Sequence, residues 1–145
     1  MMDHGILQSD GSVRRIALFD ESGKRIWENV EAIEAMYASP SRMIARTYID
    51  EVMVSTVFLC LNHGWSGQYD IWFETMVFGG PEAIDQQMDR YATMKDARDG
   101  HRAMVAMVRE ALESIRLAQL QETPSILRYL FEEPSREFDV IKEKN

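Results

Sequence analysis

The run VMVSTVFLCL, Val52–Leu61, decides the fold. Its apolar side chains fall on odd and even positions alike. An extended chain here is hydrophobic on both faces, which places it in the middle of a sheet and not at an edge. Upstream, RMIARTYI (Arg42–Ile49) alternates Met43, Ala45, Thr47 and Ile49 with Arg42, Ile44, Arg46 and Tyr48, a strand with one face nearer water. Asp50-Glu51 is a turn between the two. Downstream, NHGWSGQ is a loop with two glycines, and YDIWFETMVF (Tyr69–Phe78) is a third strand, broken by Gly79-Gly80-Pro81. The links are too short for crossover helices, so the strands over 42–49, 52–61 and 70–78 pair antiparallel.

The long segment YATMKDARDGHRAMVAMVREALESIRLAQLQ then changes period. Ala97, His101, Met104, Val105, Val108, Leu112 and Ile115 recur at three and four residues, one stripe of an amphipathic helix from 94 to about 120. Thr93 is its N-cap, with Asp96 at the N3 position. Lys95, Asp99, Arg102, Arg109 and Glu113 lie opposite, on a solvated face. Toward the N-terminus, RRIALFDESGKRIWE reads as a hairpin turning at Gly23, and NVEAIEAMYAS as a helix capped by Asn29. Thr123-Pro124 opens a short terminal helix, SILRYLF. Residues 82–90 are polar, a loop or a helical turn.

The expected order is β-β-α-β-β-β-α-α, an α+β fold: an antiparallel β-meander with a long amphipathic helix packed on the sheet and a short C-terminal helix. Residues 1–13 read as a flexible N-terminus, 14–131 as a single α+β domain, and 132–145 as a charged, frayed tail in which Phe138, Val140 and Ile141 dock weakly. The expected core comprises Val57, Leu59, Phe73, Val77, Val105, Val108 and Leu112.

The chain has 145 residues, 46% hydrophobic and 28% charged, with net charge −8. This is globular composition, and the acidity argues against general binding of nucleic acid or anionic membrane. One cysteine, Cys60, allows no internal disulfide and suits a reducing cytoplasm. No apolar run approaches the roughly 20 residues of a membrane span.

Glu74 is the anomaly in this scheme, since it shares a strand face with Trp72, Met76 and Phe78. A bare carboxylate among such side chains is costly unless paired. In one reading the face is partly open and Glu74 meets water or an arginine such as Arg46. In the other, Glu74 works inside a polar pocket with His63, at the end of the central strand, and His101, on the apolar helix stripe. His63, Glu74 and His101 are then a candidate catalytic acid–base set, or ligands of a divalent metal. No other cofactor is implied. If 61 pairs with 72, His63 shares the face of Glu74; if 60 pairs with 72, it points away. The ordinary reading of each residue singly is structural, and no HExxH, CxxC, phosphate-binding glycine loop or GxSxG is present. Trp65 in its loop, and Leu127, Leu130 and Phe131 in the terminal segment, are candidate partner-binding residues, the latter for a partner or a second subunit.

VSTVFLCLNHGW, FETMVFGG and RYATMKDARDGHRAMV resemble a family of small uncharacterised tailed-phage and prophage proteins. The family pattern reads roughly VSTVFLGLDH, then FETMVFGG, then a Tyr-Ser/Thr-Thr-Trp stretch and GH before a helix. The resemblance runs from Val54 to about Val105, with a looser echo in ARTYIDEV. The chain departs at Cys60, where glycine is usual, and at Asn62, where aspartate is usual. His63, Glu74, Thr75 and His101 lie within the matched phrases. The resemblance implies no activity; it implies a phage-encoded protein acting in a bacterial cytoplasm. Three functions follow as expectations: a protein that binds a partner of host or phage and modulates a host process or defence system, a small metal-binding or acid–base enzyme, or a virion or replication accessory protein.

Overall fold

A computed structural model of the chain describes residues 3–64 and 68–122 in full and residues 137–141 as backbone. The elements are β1 (His4–Leu7), β2 (Val13–Ile16), α1 (Trp27–Ala38), a 3-10 turn (Pro40–Arg42), β3 (Met43–Ile49), β4 (Val52–Phe58), β5 (Phe73–Phe78), β6 (Met88–Tyr91), α2 (Met94–Glu122) and β7 (Glu137–Ile141). The larger sheet has the order β6-β5-β4-β3-β7 and is antiparallel throughout. The fold is α+β, and the run that reads as apolar on both sides, β4, is the central strand.

Alternation along the strands separates two unlike faces. Thr47 lies opposite Val54, Thr56 opposite Thr75, and Phe58 opposite Phe73. These residues, with Ala45, Ile49, Val52 and Val77, are buried. They meet Ala97, His101, Met104, Val105 and Val108, the buried stripe of α2. The stripe therefore faces the sheet as its spacing predicts, and Thr93 Oγ1 accepts from Asp96 N at 3.1 Å to cap the first turn. The other face carries Tyr48, Met53, Val57, Glu74 and Met76, all partly exposed, and Phe78 and Met88, each 42% exposed. Val57 and Leu59, expected in the core, are only half-buried. Val57 lies opposite Glu74 and so takes the open face. Leu112 packs against the core from its margin, while Phe73, Val77, Val105 and Val108 are buried as expected.

Residues 4–16 and 137–141 are more ordered than their composition predicts. Residues 4–7 and 13–16, expected in large part to be loose, form a two-stranded antiparallel sheet. A second partner holds it. Beyond β4 the chain takes φ 64° at Cys60, so Cys60 O accepts from Gly5 N and Asn62 N donates to Asp3 O, both at 2.9 Å. The expected hairpin survives as a tighter turn, in which Ile26 N donates to Leu18 O at 2.9 Å around Gly23, with φ 81°. Asn29 is not a cap: α1 begins two residues earlier, and Asn29 Nδ2 donates to Ala17 O at 2.7 Å. The polar stretch after Gly80 contains β6, and Glu137–Ile141, read as tail, is an edge strand on β3. The expected terminal helix lies outside the described residues.

Gly100 is a tight point between helix and sheet. A Cβ there would come within 2.2 Å of the Tyr91 ring and hydroxyl. Glycine inside an exposed helix is normally worse than alanine by about 1 kcal/mol. Here the clash reverses the sign: Gly100→Ala is expected to destabilise by about 1–3 kcal/mol in denaturant titration. A stabilised variant would mean that Tyr91 does not pack over this turn.

Candidate functional site

His101 enters the interface from α2 and reaches two strands. Its Nε2 lies 2.9 Å from Thr47 Oγ1 and its Nδ1 lies 2.7 Å from Thr56 Oγ1. Thr56 Oγ1 is in turn 2.5 Å from Thr75 Oγ1. The three threonines come from adjacent strands and point to the same face, because they occupy in-register positions of the same parity. A hydroxyl both donates and accepts, so Thr75, Thr56, His101 and Thr47 lie in one continuous hydrogen-bonded chain. At the β6 side the Tyr91 hydroxyl is buried near Thr75 without a hydrogen bond of good geometry. Burial pushes its phenol above the usual value, against an opposing effect of Thr75.

A threonine hydroxyl beside an imidazole is, taken alone, a nucleophile–base arrangement. Access decides against that use. His101 is 3% exposed, and Thr56 and Thr75 are fully buried. No substrate carbonyl or phosphoryl group reaches these hydroxyls in this conformation. The network is the polar part of the core.

Glu74 and His63 lie elsewhere. Glu74 projects from the opposite face of β5, where Arg90 Nε donates to its Oε2 at 2.8 Å. The two are directly cross-strand neighbours. The reading in which an open face supplies an arginine therefore holds, with Arg90 of the edge strand in place of Arg46. His63 is exposed in the loop after Cys60, and its backbone N donates to Ile71 O at 2.9 Å. Neither register weighed for the hairpin is realised: Phe58 opposes Phe73, Leu59 N donates to Trp72 O at 2.8 Å, and the turn at Cys60 removes His63 from the pleat. His63, Glu74 and His101 are thus not brought together. Among the described residues no group of three His, Cys, Asp or Glu side chains is placed to hold a metal.

Asn62 is an anchor for the loop. Its Oδ1 accepts from Gly64 N at 2.8 Å and Ile71 N at 2.9 Å, and its Nδ2 donates to Asp70 Oδ1 at 2.7 Å. Burial raises Asp70, but hydrogen bonds from Arg15 and Asn62 outweigh it and hold the carboxyl below its usual value. Arg15 also pairs with Asp3 and so ties the small sheet to the loop. Cys60 is buried, and burial pushes its thiol up against an opposing Arg42, which makes it a poor nucleophile.

Among the described residues, two groups of exposed apolar side chains are considered as binding candidates. One is aromatic: Arg25 lies 5.6 Å from the Phe19 ring centroid and 5.2 Å from that of Trp27, which is 62% exposed. That cation already occupies the rings. The other is the sheet face of Met53, Val57, Met76, Phe78 and Met88. Trp65, Leu127, Leu130 and Phe131 lie outside the described residues. The sequence reading missed Thr47, Thr56, Arg90 and Tyr91. The available signal was one threonine in each of three otherwise apolar strands, Thr47, Thr56 and Thr75, opposite a histidine on the helix stripe.

No family model matches the chain, and no curated protein or solved structure is found similar to it.

Glu74 and His101 are expected to behave very differently. Glu74→Gln breaks a partly exposed cross-strand pair and is expected to cost no more than about 1 kcal/mol. His101→Ala opens a cavity and strands buried hydroxyls, for a loss of about 3 kcal/mol or more. Denaturant titration of both variants checks the contrast, and a larger loss for Glu74→Gln would reverse the assignment of the two faces.

Proposed function

We propose that this chain is a small phage-type protein of the bacterial cytoplasm that binds a protein partner of host or phage and so modulates a host process or defence system. The observation that carries the binding function is the open sheet face. One side of the sheet is filled by α2, while the other presents methionine, valine and phenylalanine side chains from β4, β5 and β6, with Phe78 and Met88 each 42% exposed. Contiguous apolar surface of this kind is what a partner covers. Methionine adapts its shape to the surface it meets.

The phage setting rests on the resemblance of the three sequence phrases. Two positions of the fold are compatible with it. Cys60 has φ 64°, a conformation that glycine, the usual residue of the resembling pattern, adopts without strain. Gly100 and His101, the GH of the pattern, are the close-approach residue and the buried imidazole of the helix–sheet contact. The cytoplasmic setting rests on the single cysteine, which is buried. No described helix is long and apolar enough to cross a membrane.

The test is a paired capture experiment in bacterial cells. Tagged wild-type chain is expected to retain one protein reproducibly. The Phe78→Glu, Met88→Glu variant, with unchanged circular dichroism, is expected to lose it by at least about tenfold, since charges in a buried interface centre cost a few kcal/mol. Retention of the same protein by the folded double variant would remove the open face from the binding surface.

A further inference from the structure

The open face is chemically asymmetric. Its described charged side chains are Arg46, Glu74 and Arg90. Glu74 is matched by Arg90. Arg46 has no such match among the described residues: its Nε is buried without a hydrogen-bond partner, and none of the described ion pairs includes it. A protein with net charge −8 therefore carries, among its described residues, a guanidinium with no carboxylate partner on a partly open apolar sheet face. Burying that face under a purely apolar surface would strand the cation, at a cost that a carboxylate on the incoming surface removes.

We propose that this face receives an amphipathic helix of the partner protein, and that the helix presents a carboxylate to Arg46. The inference rests on the binding function proposed above and names the partner's chemistry. Register gives the dimensions. Arg46 lies opposite Ser55, which is buried, Ser55 opposite Met76 and Met76 opposite Met88; these four mark one row from β3 to β6, and the backbone of β7 extends it beyond Arg46. Three strand spacings are about 14 Å, little more than the diameter of one helix. A helix laid over β4 and β5 meets Met53, Met76 and Phe78 with its apolar stripe and reaches Arg46 at its flank. The alternative occupant, a second copy presenting the same face, would set two net-positive faces against each other, which is unfavourable.

The test uses the full chain with isotope-labelled methionine methyl groups. Met53, Met76 and Met88 report the open face, and the buried Met36 and Met104 serve as internal controls. The probes are three helical peptides with one leucine stripe and a single variable flank position: glutamate, glutamine or lysine. The glutamate peptide is expected to shift Met53, Met76 and Met88 but not Met36 or Met104. It is also expected to bind about ten- to a hundredfold more tightly than the lysine peptide, and Arg46→Gln should abolish that preference, bringing the two peptides to about equal affinity. Equal binding of the glutamate and lysine peptides would overturn the carboxylate assignment and leave the docking face standing. Open-face methyls unmoved by all three peptides would overturn both. Concentration-dependent shifts of the same methyls without peptide, together with a doubled mass in light scattering, would put a second copy on the face and overturn the helix assignment.

Discussion

The contact between His101 and Thr56 fixes where the long helix sits on the sheet. Apart from the threonine chain that includes it, the described buried residues of that interface are aliphatic and aromatic, and such surfaces pack tightly in more than one alignment. Directional hydrogen bonds do not. Sliding α2 by one turn, about 5.4 Å, would leave a buried imidazole and buried hydroxyls without partners, at about 1–3 kcal/mol for each. Thr47, Thr56 and Thr75 come from three adjacent strands, so one imidazole reads the register of the sheet and of the helix together. Gly100, the preceding residue, lets Tyr91 close over the helix at the β6 side. The polar chain and the glycine thus hold the two layers at one spacing and one alignment.

Once α2 is fixed on one face, the other follows from the pleat. Every residue adjacent to a core position in β4 and β5 points away from the helix. Met53, Val57, Glu74, Met76 and Phe78 are therefore placed together by the same alternation that buries Val54, Thr56, Phe73, Thr75 and Val77. Glu74 is tolerated among apolar neighbours because its face is open and because Arg90 stands opposite on the edge strand. Its presence marks the boundary of the core and not a catalytic pocket. The function proposed for the chain depends on this asymmetry: a sheet with one face locked and one face offered.

Much of this was legible from periodicity. The strands of the meander and the stripe of α2 are long enough for their patterns to be unambiguous, and β4 was central because it is apolar on both sides. The register was not legible, because a left-handed turn at a cysteine carries no local signal and moves His63 out of the pleat. Short strands failed for a related reason. HGIL, MDRY and EFDVI hold their conformation through long-range partners, and nothing within four or five residues announces those partners. At the candidate site the sequence singled out His101 correctly as facing the sheet. The described hydrogen-bond partners of His101 include Thr47 and Thr56, residues whose β propensity hides them inside the strands. The grouping of His63 and Glu74 with it failed because strand parity and a single turn put the three on different surfaces.

The central claim is that the His101–Thr56 contact couples helix to sheet. A double-mutant cycle of His101→Ala and Thr56→Val, read by denaturant unfolding, measures that coupling directly. The two losses are expected to be strongly non-additive, with an interaction energy of about 1–3 kcal/mol, because each single change strands the other's hydrogen-bonding group. Losses that add to within about 0.5 kcal/mol would show that the two side chains do not act together, and the account of how the layers are locked would fail.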